Sequence, residues 1–127
     1  MTDQELIEMC AAAALEANRQ YSISIGDPPL LPWDQLGETP KDSYRQGVVF
    51  ALAGSTPESQ HDNWRYLKIQ QGWQYGPYKD EVQKLHPCLT AYANLTEEQR
   101  YKDKLFIDTV LATATANGWT PAKKKGK

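Results

Sequence analysis

The sequence predicts a mainly α-helical fold, a compact domain of about four helices with a small β-hairpin or irregular insertion. Apolar residues recur at three- and four-residue spacing in four segments, which is the periodicity of amphipathic helices. Between the third and fourth segments, residues 73–87 lack that period and contain the turn-forming pairs Gly76-Pro77 and His86-Pro87. The length of 127 residues fits a single domain with one core.

The first half of the chain predicts two helices separated by a proline-rich loop. Residues 3–21 place small and apolar side chains on one face, and acidic residues at their start favour a helix N-terminus. Residues 26–33 contain three prolines, which remove amide donors and fix φ, so a loop is expected there. The second helix is predicted to begin at Thr39-Pro40, because a threonine N-cap followed by proline is a common helix start.

The third helix is predicted to begin at Thr56-Pro57, where the same start signal is repeated. It should run to about Gln71, since Gly72 is a typical helix stop. After the insertion, one or two helical turns are expected within residues 88–94.

The last helix is predicted from a capping box, in which Thr96 is followed three residues later by Gln99. Its apolar period continues to about Ala116. We therefore expect a single domain over residues 1–119, followed by a basic flexible tail at residues 120–127.

Composition excludes several classes of protein. The net charge is −2 and the mean hydropathy is −0.67, and no apolar run approaches the roughly 18 residues of a membrane span. Two cysteines without metal-ligand neighbours cannot form a disulfide framework. The first residues are acidic and polar, unlike a secretory signal peptide, so we expect a cytoplasmic protein without membrane association.

The charge is unevenly distributed along the chain. Residues 1–60 carry three basic and nine acidic side chains, whereas residues 61–104 carry seven basic and six acidic ones. Residues 105–127 carry four lysines, all in the tail, and one aspartate. Because nucleic-acid binding normally needs a basic face, we do not expect it here. An anionic small ligand would belong to residues 61–104.

An aromatic cluster lies in that balanced segment. Residues 61–78 hold five of the 13 aromatic residues, with glycines and a proline among them, and cationic and polar side chains follow at once. Rigid aromatic faces beside cations suit a planar anionic ligand such as a nucleotide, since stacking contributes roughly 1–3 kcal/mol per base and lysine or arginine pairs with phosphate. The same aromatics also suit the core of a small helical domain, and both interpretations stay open.

The candidate ligand-binding residues combine stacking faces, phosphate-binding cations and polar groups. They are Arg19, Tyr21, Trp33, Trp64, Arg65, Lys68, Trp73, Tyr75, Lys79, Asp80, Lys84 and His86. Trp64, Trp73 and Tyr75 would stack. Arg19, Tyr21 and Trp33 would complete the pocket, in one version across a dimer interface.

Catalytic chemistry has weaker support in the sequence. The pair His61-Asp62 occurs in metal-dependent phosphohydrolases, but such a site needs further ligands, and His86 is the only other histidine. One proline separates His86 from Cys88, a spacing that rarely places a thiol against an imidazole. We therefore expect no catalytic residue, no metal site and no cofactor.

A series of motifs in the second half carries a family resemblance. In chain order these are His61-Asp62-Asn63-Trp64, Lys68-Ile69, Gly72-Trp73-Gln74-Tyr75-Gly76-Pro77, Asp80, Leu85-His86-Pro87-Cys88-Leu89 and Leu95-Thr96-Glu97-Glu98-Gln99-Arg100. Together they resemble the ryanodine receptor repeat, or RyR domain, over residues 58–115. The last motif departs from the family's pattern, with threonine for proline and glutamine for glutamate.

The N-terminal helical extension, residues 3–54, strengthens the resemblance. Its motifs are Ala17-Asn18-Arg19-Gln20-Tyr21, Pro32-Trp33 and Gly47-Val48-Val49-Phe50. They are similar to those of stand-alone RyR-domain proteins of bacteria and their phages.

The resemblance implies a partner and a ligand. The receptor repeats are cytoplasmic modules in tandem pairs, so one copy implies a homodimer that restores the pair. Prokaryotic RyR domains occur near nucleotide-based defence signalling, which implies a non-enzymatic binder of a nucleotide-like molecule that sequesters or senses an immune signal, in the host cytoplasm if a phage encodes it. The alternative is a protein–protein interaction module with no small ligand.

Overall fold

The computed structural model describes residues 1–28 and 30–121. Within them the chain forms four long helices, α1 (Asp3–Ser24), α2 (Glu38–Leu52), α3 (Pro57–Gln70) and α4 (Glu97–Ala116). The predicted mainly α-helical fold is thereby confirmed. Most of the predicted basic tail, residues 122–127, lies outside the described residues.

Helix starts follow the capping signals, with one shift. Thr56 caps α3 as predicted, accepting from the Ser59 amide. The α2 helix begins at Glu38 with Gly37 at the N-cap position, so the predicted Thr39 N-cap is wrong. Proline fits inside the first helical turn because an amide there has no intrahelical partner, and the helix can therefore begin before it.

Of the other two helices, α1 differs from the expected bounds and α4 matches them. The α1 helix continues three residues beyond the predicted end at residue 21, to Ser24. Thr96 accepts from the Gln99 amide at the start of α4, and the helix ends at Ala116 as predicted. Within the described residues, none of these helices is both long and apolar enough to cross a bilayer.

The insertion contains two very short strands, β1 (Gln74–Tyr75) and β2 (Leu85–His86), which pair in parallel. Of the two predicted alternatives, the hairpin, which would be antiparallel, is therefore wrong, and the insertion is irregular. The chain reverses twice between the strands, because Asp80 forms an antiparallel bridge with Leu85 and its Oδ1 accepts from the Val82 and Gln83 amides at 2.9 and 3.0 Å. A short 3₁₀ turn at Tyr92–Asn94 supplies the helical turn expected within residues 88–94.

The core lies between α1, α2 and α4 and is built from small side chains. Its fully or almost fully buried members include Cys10, Ala11, Ala14, Val48, Ala51, Val110 and Ala114. Gly47 allows α2 to approach closely, since a Cβ there would lie 3.0 Å from Phe106 Cζ.

Helices α1 and α4 run antiparallel. The thiol of Cys10 donates to the Val110 carbonyl at 3.6 Å near one end of the pair. Near the other end, Lys102 Nζ donates to Asp27 Oδ2 at 2.8 Å. This arrangement brings the end of α1 and the start of α4 to the same side of the molecule as the insertion.

Candidate ligand-binding cleft

A cleft of about 790 Å³ lies between the four helices and the insertion. This volume falls in the range of sites that enclose small molecules. Helix α3 supplies one wall, the C-terminal end of α1 and the N-terminal half of α4 supply another, and residues 75–79 and 86–90 close the remaining side.

Aromatic rings form one wall of the cleft. The Trp64 ring meets His86 edge-on, with 5.1 Å between the ring centroids, and it lies 5.5 Å from the His61 ring. Tyr75 and Tyr78 line the cleft and remain more than half exposed, so they mark its mouth. The wall therefore offers one fixed indole and two solvent-accessible phenol rings to a planar ligand.

Three lysines line the same cleft. Lys68 Nζ lies 4.7 Å above the Trp73 ring, a cation–π contact, and burial together with nearby Lys79 lowers the pKa of Lys68. Lys79 Nζ lies 3.2 Å from the Glu81 carboxylate, which is itself exposed. Lys68 and Lys79 are thus the cations that an anion in the cleft would meet.

Lys102 belongs to a hydrogen-bond network that holds the wall together. Both Lys102 Nζ and Gln99 Nε2 donate to Asp27 Oδ2, at 2.8 and 2.7 Å, while the Cys88 thiol donates to Gln99 Oε1 at 3.3 Å. Burial opposes ionisation of Asp27, but the two donated bonds outweigh it and lower its pKa. The network links the end of α1, the start of α4 and the insertion.

A buried histidine and aspartate meet inside the cleft. His61 is 2% exposed, and its Nε2 donates to the Thr90 carbonyl at 2.9 Å, which leaves Nδ1 facing Asp103 Oδ2 at 3.7 Å. Burial raises the pKa of Asp103 to about 7. At pH 7 this carboxyl is therefore about half protonated, and its protonated form can donate a hydrogen bond as well as accept one.

His86 is uncharged at neutral pH. Its Nδ1 accepts from the Cys88 amide at 3.0 Å, and burial lowers its pKa to about 4. Its ring packs against Trp64, and therefore acts as part of the aromatic wall. In the described part of the chain, no three histidine, cysteine, aspartate or glutamate side chains are arranged to hold a metal ion.

The cleft brings together five of the twelve residues predicted from sequence. They are Trp64, Lys68, Tyr75, Lys79 and His86. The first two come from α3, Tyr75 and His86 come from the two strands, and Lys79 comes from the loop between the strands. The fold thus joins positions up to 22 residues apart in the chain.

The other predicted residues lie elsewhere. Trp73 is buried beneath the cleft wall under Lys68, while Asp80 holds the turn between the strands. Lys84 Nζ donates to the Gln71 carbonyl at 2.8 Å. Arg65 is half-buried on α3, outside the cleft lining.

The three candidates from the first half also point away from the cleft. Arg19 pairs with Glu16 within α1. Trp33 lies under the cationic groups of α2. Tyr21 packs on Tyr101, with 4.9 Å between ring centroids, beside a smaller depression.

Sequence reasoning missed the polar lining supplied by α1 and α4. Gln99, Lys102 and Asp103 share one helical face with the buried Phe106, at i, i+3, i+4 and i+7. Polar side chains on an otherwise inward face are the signal that could have found them. Asn18 and Ser22, four residues apart, lie on the buried face of α1, and the apolar periodicity of that helix does not include them.

The fold and the cleft define a mainly helical domain whose irregular insertion closes one side of a cavity. The family model described as RyR domain matches residues 49–123, more than half of the chain. The chain therefore belongs to the RyR domain family. The matched range includes α3, both strands and α4, whereas α1 precedes it.

Proposed function

We propose that the cleft binds a nucleotide-like small molecule and does not transform it. The observation that carries this proposal is the convergence of an aromatic wall and two lysines in one cavity of about 790 Å³. The base would stack against Trp64 and the accessible tyrosines, while Lys68 and Lys79 would meet the phosphate.

The electrostatics of the lining favour an anion at this place. The carboxylate of Asp27 is already neutralised by Lys102, and Asp103 is ionised only about half of the time at pH 7 because burial raises its pKa to about 7. Of the two other lysines, Lys79 lies 3.2 Å from the exposed Glu81 carboxylate and Lys68 lies over the Trp73 ring. A phosphate that enters the cleft would contact Lys68 and would compete with Glu81 for Lys79.

Binding without turnover would make the protein a sensor or a sequestering agent for a nucleotide signal. In a bacterium or a phage-infected cell, that signal would be an immune messenger, met in the cytoplasm. Incubation with each bound nucleotide, followed by ³¹P NMR, should return the nucleotide unchanged. If the protein converted more nucleotide molecules than there are protein molecules, the proposal that it does not transform its ligand would be contradicted.

A panel of mono-, di- and cyclic nucleotides tested by thermal unfolding is the direct experiment. A ligand that binds only the folded state at 100 times its Kd should stabilise it by about 2.7 kcal/mol, which raises the melting temperature. Calorimetry would then give the Kd of each nucleotide that produces a shift. No shift with any nucleotide at millimolar concentration would reject the proposal.

Lys79→Ala tests whether the cleft is the binding site. It should weaken nucleotide binding about tenfold, since a charge-assisted hydrogen bond is lost, and it should leave the melting temperature of the free protein nearly unchanged. Lys104→Ala is the matched control, because it removes the same charge from α4 where Lys104 pairs with Asp108 outside the cleft. Equal weakening by both variants would indicate general electrostatics and not a site.

A protein–protein interaction module, including the expected homodimer, is the second candidate. Tyr66 and Ile69 lie three residues apart on α3 and are 60% and 51% exposed, which suits a contact surface. Light scattering at high concentration would show a dimer. A dimer that Tyr66→Ser abolishes, together with no response in the nucleotide panel, would favour this candidate over the first.

A further inference from the structure

Asn18 leaves a hydrogen-bond acceptor without a partner inside the cleft. The residue lines the cleft and is 8% exposed, and among the described residues no donor reaches its Oδ1. A buried polar atom without a hydrogen bond destabilises the folded state, because it loses its bond to water and gains none in return. Native structures rarely keep such an atom unless it has a use.

The neighbouring buried polar groups are satisfied, which makes Asn18 the exception. Gln60 is equally buried, and its Nε2 donates to the Gly47 carbonyl at 3.0 Å while its Oε1 accepts from Ser55. His61 donates to Thr90. The fold therefore supplies partners for the buried side chains of Gln60 and His61, whereas Asn18, which also lines the cleft, keeps a buried acceptor without a partner.

We propose that Asn18 recognises the base of the ligand, its carboxamide oxygen accepting a hydrogen bond from an N–H group on the base edge. This inference rests on the proposed function and adds an orientation to it. The base enters first and reaches α1, while the phosphate stays near the mouth with Lys68 and Lys79. A nucleotide whose base has no N–H donor should therefore bind more weakly than one whose base has such a donor.

The position of Asn18 makes it a specificity element added to the family's domain. Helix α1 precedes the residues 49–123 that match the RyR domain, so the recognising group comes from the N-terminal extension. Asp103, whose pKa burial raises to about 7, lines the same cleft, and its protonated form supplies a second group that can donate or accept at the base edge.

A ligand series tests the inference on the wild-type protein. AMP and GMP carry N–H donors on the base, whereas purine riboside 5′-monophosphate keeps the ring and phosphate but has no such donor. The better of the two donor-bearing nucleotides should bind at least tenfold tighter than the donor-free one, since the buried acceptor stays unpaired in the latter complex. Affinities within threefold would overturn the inference.

Asn18→Leu, which preserves the approximate shape, provides the second test. It should bring the affinity ratio close to one and leave the melting temperature of the free protein equal or higher, because an unpaired buried acceptor is removed. Gln60→Leu is the matched control and should lower the melting temperature, since its partners would lose their bonds. The inference would be overturned if Asn18→Leu lowered the melting temperature as much as Gln60→Leu does. It would also be overturned if Asn18→Leu left the ratio of nucleotide affinities unchanged.

The two proposals fail in distinguishable ways. If none of the three nucleotides binds, the proposal that the cleft binds these nucleotides is rejected. The inference about Asn18 is then rejected as well. If all three bind equally and Lys79→Ala weakens them all, the cleft is a nucleotide site and only the role of Asn18 is rejected.

Discussion

The two ends of the α1–α4 pair differ in how their interior is filled. At the end near Cys10 and Val110, small apolar side chains pack without exposure to solvent. At the other end, where Asn18 faces the start of α4, the interior holds amides, carboxyls and imidazoles around a cavity. The same two helices thus form a close-packed core at one end and a lined cleft at the other.

The difference follows from the size and polarity of the side chains at each end and from the elements that pack against them. Alanine and cysteine allow helices to approach closely, so packing and burial stabilise that end. At the other end the Trp64 ring and polar side chains line the cavity, and those polar groups need hydrogen-bond partners. Close apolar packing is concentrated at the first end and the polar lining of the cleft at the second.

The largest effect is expected from a charge in the close-packed end. Val110→Asp should destabilise the fold by about 4 kcal/mol or more, because the carboxylate would be buried without a partner. Ala112→Asp places the same charge on an exposed position of α4 and should be tolerated. Denaturant unfolding of both variants is the measurement, and similar midpoints would show that the end near Val110 is not close-packed.

An intermediate effect, dependent on pH, is expected in the cleft. Because the pKa of Asp103 is raised to about 7 from an ordinary value near 3.8, its contribution to stability is full below about pH 4 and lost as the pH rises to about 7. The stability of Asp103→Asn relative to wild type should therefore increase by about 3 kcal/mol between pH 4 and pH 8.

Paired unfolding measurements at several pH values would check this expectation. His86 changes stability in the opposite direction over part of that range, since its pKa is lowered, but it is present in both proteins and cancels in the difference. Asp108→Asn removes an exposed carboxylate from the same helix and serves as the control. A pH-independent difference for Asp103→Asn would show that this carboxyl is ionised throughout.

The smallest effect is expected where the insertion closes the cleft. A Cβ at Gly76 would lie 2.6 Å from Leu85 Cβ, so Gly76→Ala should separate the strands and cost about 2 kcal/mol. Gly37→Ala, whose Cβ meets only Pro40 Cδ at 3.8 Å, should cost less than about 1 kcal/mol. Equal midpoints for the two variants in chemical denaturation would mean that the strand pair accommodates the added methyl group without loss of stability.

Much of the helical framework was predictable because its signals are local. Thr56 and Thr96 cap helices where the sequence predicts caps. The start of α2 was misplaced because a proline in the first turn is compatible with more than one N-cap position. The parallel strand pair was not predictable, since it depends on a double reversal set by the hydrogen bonds of Asp80.

The candidate site was predictable only in part, for a similar reason. Trp64, Lys68, Tyr75, Lys79 and His86 lie in one aromatic and cationic segment, and composition was enough to select them. That same reasoning could not separate Trp73, whose ring is buried, from Trp64, whose ring lines the cavity. Burial depends on what packs against each ring, and a single segment does not contain that information.

The sequence by itself determined the helical class, most helix ends and the segment that carries the aromatic and cationic groups, because periodicity, caps and composition act over a few residues. Only the tertiary structure decided that Asn18 and Asp103, 85 positions apart in the chain, line the same cavity. The tertiary structure also decided that the Asn18 acceptor is unpaired and that the pKa of Asp103 is raised, since both properties arise from burial among distant neighbours.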